Sequence, residues 1–362
     1  MPAGITATDR IAYAGATPWH GLGRELPEHC TPREALTASG LDWDIVPQTL
    51  YANSGDGAGG EVVTWQRADD RGGFVNAYAV AAVEDRVMLT RSDTGGHLGI
   101  VSNDYRPFSN ADLVDFIGDV LGDDFAAVET AGSLHGGRRV WFALRQGLHD
   151  VAGVDPVASF SLFATGHDGG LSIRVIPTEV RVVCANTFSA AGAHNASQGL
   201  SIAHRGNVAA SIDRARHVLA GTADLHAEFL RTADRLALTD ADAGWLSDFF
   251  QRAYVGAVAS SEQRRLLITN RAQLTAEEQP KRDRAEARAA SMVSDWVWNF
   301  EDADGGNCSP KVSRTRWAAV NSITRDLDHG RTRKSAGHRF EANVMSDGAA
   351  LKARIIDHAC AG

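Results

Sequence analysis

The sequence predicts an α+β fold, with a mainly antiparallel β-sheet and packed helices in the N-terminal part and a largely helical C-terminal part. Three observations carry this. Runs of β-formers pair across Gly- and Asp-rich turns between Asp44 and Ile202. Capped amphipathic helices sit beside those hairpins, as in antiparallel sheets covered on one face. From Asn207 the apolar period becomes helical. The same change divides the chain into a sheet domain at 1–203 and a helical region at 204–362 with a basic C-terminal segment.

Taken in order, Trp19-His20-Gly21-Leu22-Gly23 reads as a loop whose Trp19 plugs a groove. A helix follows, capped by Thr31, with Pro32 in its first turn, Glu34 completing a capping box and Gly40 ending it. Trp43 to Ala52 is an edge strand, because Pro47 cannot donate to a ladder. Gly55 to Gly60 is a loop before a short strand at Val62 to Gln66. Strands at Ala77 to Val83 and Val87 to Thr90 precede a turn at Ser92 to Gly96 and a strand at Leu98 to Val101. Ser109 caps a helix carrying Leu113, Phe116, Ile117, Val120 and Leu121 at helical spacing.

A second hairpin runs Phe125 to Leu134, turns at His135 to Arg138 and returns to Leu144. A third runs Ala158 to Ala164 and turns at Gly166 to Gly170. It returns through two β-branched runs, Ile173 to Ile176 and Val180 to Val183, joined by Pro177-Thr178-Glu179. Beyond Asn207, one helical stripe holds Val208, Ile212, Ala215, Leu219, Phe229, Ala233 and Leu236. Asp240 starts another helix with Leu246, Phe249 and Ala253. A charged helix spans Thr275 to Asp302, and Trp317 and Val320 lie on a further helix.

Composition narrows the function. The chain is 44% hydrophobic and 22% charged, with 4 cysteines far apart, which disfavours a disulfide framework or zinc ribbon and points to a reducing cytoplasm. No apolar stretch approaches about 18 residues and no secretory signal opens the sequence, so no membrane partner is expected. The net charge of -9 argues against indiscriminate nucleic-acid binding. Lys311 to Arg339 nevertheless holds eight basic and two acidic residues and is +6, leaving the remainder at -15. That asymmetry points to a polyanion-facing surface.

No phosphate-loop, dinucleotide, metalloprotease or serine-elbow pattern is present, so no catalytic residue, metal ligand or cofactor is assigned. The arginines are more informative. Arg174 and Arg181 lie among apolar strand residues, where they either face solvent, pair with Glu179 or contact phosphate. Arg138, Arg139, Arg205, Arg331, Arg333 and Lys334 add cations on other elements, and Trp141, Trp317 and Phe340 offer rings for base stacking or for a core.

Several motifs stand in one order: Trp19 to Gly23, Arg91 to Gly95, Asn103-Asp104-Tyr105, Ala131 to Leu134, Gly137 to Trp141, Arg181 to Thr187, His204 to Asn207, Thr315 to Asn321 and Asp328 to Arg331. In this the chain resembles the phage/plasmid-like proteins of domain of unknown function 932. The resemblance implies a mobile-element protein in a bacterial host cell and carries no catalytic residue. The element order also resembles, more distantly, the Rad52-like phage single-strand annealing proteins. The leading expectation is a single-stranded DNA-binding protein of replication or recombination, acting as a homo-oligomer. The alternatives are a protein-interaction factor that modifies or inhibits the host, and an unrecognised hydrolase or nuclease.

Overall fold

The computed structural model describes residues 9–14, 23–53, 62–68, 74–121, 127–181, 186–189, 199–205, 211–302, 309–330 and 347–361. At 53, 62–68, 74–81, 181, 186–189, 329 and 347–349 it describes the backbone alone. The Trp19 loop, the Gly55 to Gly60 loop, Cys184, Cys308 and Phe340 lie outside the described residues.

The expected α+β architecture is present, with two sheets followed by a helical part. The larger sheet is built on an antiparallel meander: β7 (Val128–Leu134), β8 (Arg139–Val151), β9 (Asp155–Gly166) and β10 (Ile173–Arg181). At one edge β1 (Arg10–Tyr13) pairs with β7, and β2 (Arg24–Glu25) runs parallel to β1. At the other edge β11 (Asn186–Ser189) and β12 (Leu200–Ile202) share β10. The two β-branched runs are therefore one strand. Pro177 falls between the stretch paired with β12 and that paired with β11, where its missing N–H is not needed.

The smaller sheet holds β3 (Ile45–Asn53), β4 (Val62–Ala68), β5 (Phe74–Arg91) and β6 (His97–Ser102), with β3 at its edge as Pro47 predicts. The two strands expected between Ala77 and Thr90 are a single one. Glu84, Asp85 and Arg86, which break the apolar pattern, are exposed strand residues.

Local chemistry explains the helices. In α1 (Pro32–Ala38), Thr31 and Glu34 form the capping box, and Gly40 takes φ +68° just beyond the end. In α2 (Asn110–Leu121), Ser109 and Asp112 cap each other's amides at 3.0 and 2.8 Å. The long α3 (Ile212–Ala237) crosses the sheet. The next helix, α4 (Ala243–Ala253), is capped two residues after the expected Asp240, by Asp242, which accepts from the Trp245 amide. Then come α5 (Ser261–Ile268), α6 (Glu278–Glu301), α7 (Arg316–Arg325) and α8 (Asp347–Cys360), with π-helical turns at Tyr254–Val258 and Asp326–Gly330.

Packing forms three apolar clusters. On one face of the large sheet, Phe142, Phe163, Ile173 and Val175 meet α1, α2 and the first half of α3. The second half of α3 joins α4, α6, α7 and α8 around Phe249, Phe250, Trp296 and Trp317. The opposite sheet face gathers Trp141, Phe160, Leu162 and Leu171. Trp141 and Trp317 are fully buried, so of the two readings open to these rings they take the core one.

Candidate functional site

The turns of two hairpins meet at one end of the large sheet. The β7–β8 turn closes through Gly136 (φ +73°) and Gly137 (φ +103°), and the Arg138 carbonyl accepts from the His167 amide at 2.9 Å. A side chain at Gly137 would strike Trp43 at 2.9 Å. The smaller sheet closes in from the other side: a Cβ at Gly99 would sit 2.6 Å from Asp168 Cα.

A polar network fills this junction. Arg139 Nη1 donates to Asp168 Oδ1 at 2.5 Å, and the same oxygen accepts from the Gly170 amide at 2.8 Å. Arg91, almost fully buried, grips Asp93 with two donors at 2.9 and 2.6 Å while its guanidinium lies 4.5 Å over the Trp43 ring. Asn110 donates Nδ2 to the Leu41 carbonyl at 2.8 Å, so its Oδ1 faces His167 Nε2 at 2.9 Å and that nitrogen carries the proton. Tyr105 stacks on His204 at 4.8 Å and donates its hydroxyl to the Gly166 carbonyl at 2.7 Å. His204 Nε2 lies 3.1 Å from the Leu171 carbonyl.

Burial sets the protonation states. It pushes His167 down to about 3, helped by the neighbouring His204, and it lowers His204 as well. Burial, then the Asp168 charge, raises the Tyr105 phenol far above its ordinary range. Burial also pulls Asp168 upward, but the Arg139 and Gly170 hydrogen bonds outweigh it and keep the carboxylate ionised. The site is thus a neutral aromatic and imidazole layer framed by two tight ion pairs, Arg139 with Asp168 and Arg91 with Asp93. Among the described residues no group of three or more His, Cys, Asp or Glu is placed to hold a metal ion.

Cations stand around its mouth. Arg106, whose amide donates to the His204 carbonyl at 2.8 Å, is exposed, as are Arg138 and Arg205. Of the residues singled out from sequence, Arg138, Arg139 and Arg205 come together here, with Arg139 buried in its ion pair. Arg174 lies half-buried on the sheet face away from the helices, with Nε 3.4 Å from Ser172 Oγ. Position 181 is seven residues further along an unbroken register, hence on the opposite face of the strand. Arg331, Arg333 and Lys334 lie outside the described residues.

Sequence reasoning leaves His167 in a hairpin turn and Tyr105, Asn110 and His204 without a role, since no short spacing links them. The available signal is that the motifs containing Arg91, Tyr105, Arg139 and His204 converge on one place. The family model described as Domain of unknown function (DUF932) matches residues 97–346, more than half of the chain. The chain belongs to this family. The DUF932 match takes in Tyr105, Arg139, His167 and His204, while Trp43 and Arg91 of the smaller sheet lie before it. No curated protein and no solved structure matches the chain. Among the described residues no helix is long and apolar enough to cross a membrane.

Proposed function

We propose that this end of the large sheet binds single-stranded DNA by its phosphates, in the replication or recombination of a mobile element. The observation that carries the reading is the rim of exposed Arg106, Arg138 and Arg205, set around a rigid neutral network and without an acidic partner among the described residues. The planar guanidinium fork is preorganised for phosphate oxygens, so less freedom is lost per hydrogen bond formed, and phosphate contacts need no base identity. The order of elements supports the reading by analogy alone: α2 precedes the antiparallel meander and α3 follows it, packed across the sheet, an order similar to that of the single-strand annealing proteins.

Binding of labelled single- and double-stranded oligonucleotides, followed by fluorescence anisotropy across a salt series, tests this. Single strands should bind with little sequence preference and with a log–log salt slope near -2, at about 0.7 per phosphate neutralised by the three arginines. Absence of binding at low salt would remove the reading and leave the protein-interaction factor in its place.

A further inference from the structure

The smaller sheet changes character along β5. The C-terminal half of this strand lies between β3 and β6, and its Leu89 joins Val101 in the core shared with the large sheet. The N-terminal half, from Phe74 to Ala82, runs beyond β6 and pairs with β4 and the end of β3. This far ribbon is short of charge. Phe74 to Val83 holds no charged residue, and β4 holds one, Arg67.

Register sorts the ribbon into two faces. Trp65 lies opposite Tyr78, Val63 opposite Val80 and Tyr51 opposite Ala82, and the three β5 positions are two residues apart. Tyr51, Val63, Trp65, Tyr78 and Val80 therefore share one face, while Ala52, Val62, Thr64, Ala79 and Ala81 fall on the other. Tyr51 is 41% exposed and Ala82 beside it is exposed as well, so the aromatic face is open at this level. An apolar strand set open to water is a surface that needs a partner.

Charge and area say which partner. Rings on a sheet can stack bases, but a nucleic-acid platform also needs cations along it. Here Glu61 to Arg71 nets -1, with three acids and two arginines. The arginine rim gathers at the other end of β5, where Arg91 enters the junction and donates to the Gly136 carbonyl at 3.3 Å. Two copies of this chain, each at -9, approach with least repulsion where the strands themselves carry no acid. Tyr51, Trp65 and Tyr78 offer about 600 Å² at about 200 Å² each, and Val63 and Val80 extend this towards the roughly 800 Å² per partner of a specific interface.

We propose that the aromatic face of this ribbon is where two copies of the chain pair, stripe against identical stripe about a two-fold axis. The pairing needs no nucleic acid.

Sedimentation equilibrium of the whole chain between about 1 and 100 µM reads it directly. The mass should move from 38.6 kDa towards twice that value as concentration rises. Tyr51→Lys and Trp65→Lys set like charges against each other across the axis, and each should raise the dissociation constant at least about tenfold. Ala52→Lys, on the opposite face of β3, should change it less than about twofold. Amide exchange of the wild-type protein gives a second reading: β4 and Phe74 to Ala82 should lose protection on dilution while β8 and β9 keep theirs. A wild-type chain that stays monomeric throughout overturns the pairing. So does a dimer that folded Tyr51→Lys and Trp65→Lys leave intact, or that Ala52→Lys weakens equally. Protection of β4 that arises only with added single-stranded oligonucleotide also overturns it, and gives the face to nucleic acid.

Discussion

The two buried polar regions of the large sheet solve the same problem in opposite ways. At the end of the sheet each buried cation has a carboxylate, Arg139 with Asp168 and Arg91 with Asp93, and the imidazole beside them stays neutral. Under α3 the acid, Glu179, is the fully buried member, its partner is His226, and one oxygen has no partner among the described residues. The first arrangement gives a rigid frame insensitive to pH near neutrality. The second leaves a buried acid whose charge is cancelled by a single proton shared with the imidazole.

The largest effect should come from breaking the frame. Arg139→Met leaves Asp168 without its counter-charge, and removing one partner of a largely buried pair costs about 3 kcal/mol. Chemical denaturation at neutral pH measures it. A loss well under 1 kcal/mol would mean that Asp168 reaches water and that the network is not a frame.

Next comes the pH dependence of the frame. His167 has its folded value depressed to about 3 from 6.5, so its contribution is fully present above about pH 6.5 and is lost as pH falls towards 3. It acts at up to about 1.4 kcal/mol per pH unit inside this window. His167→Gln should flatten the acid limb of a stability–pH curve. A variant that keeps the wild-type acid limb would show that the frame does not hold this imidazole neutral.

These two regions also differ in how far the sequence reveals them. The α1 cap was legible because Thr31, Pro32, Glu34 and Gly40 act within one short segment. The hairpins at Ser92 to Gly96 and Gly166 to Gly170 were legible for the same reason. Longer range erases the signal. Glu84-Asp85 looks like a break and does mark an irregularity in the register with β3, yet β5 continues because β3 pairs on both sides of it and β6 pairs from Arg86 onward. Asp240 is the expected start of α4, but the cap is Asp242, whose carboxylate accepts from the Trp245 amide. Arg138, Arg139 and Arg205 were visible as cations, but their gathering depends on turns brought together by strand register. Nothing local marks Glu179 as the partner of His226, because the pairing comes from where α3 crosses β10.

The smallest effect on stability, and the most informative for function, belongs to the rim. Arg106→Ala, Arg138→Ala and Arg205→Ala remove exposed side chains, and each should change stability by less than about 0.5 kcal/mol. Melting temperatures within a few degrees of the wild-type protein check this. A large drop for any of them would show that the residue belongs to the frame.

The central claim is that these arginines hold phosphate, and the salt dependence of binding by the triple variant tests it most directly. Single-stranded oligonucleotide is titrated at several salt concentrations with the wild-type protein and with the Arg106→Ala, Arg138→Ala, Arg205→Ala combination. The account predicts that the log–log slope falls from near -2 towards zero, about 0.7 per arginine, in a protein that remains folded. A folded triple variant that binds with the wild-type slope would contradict it.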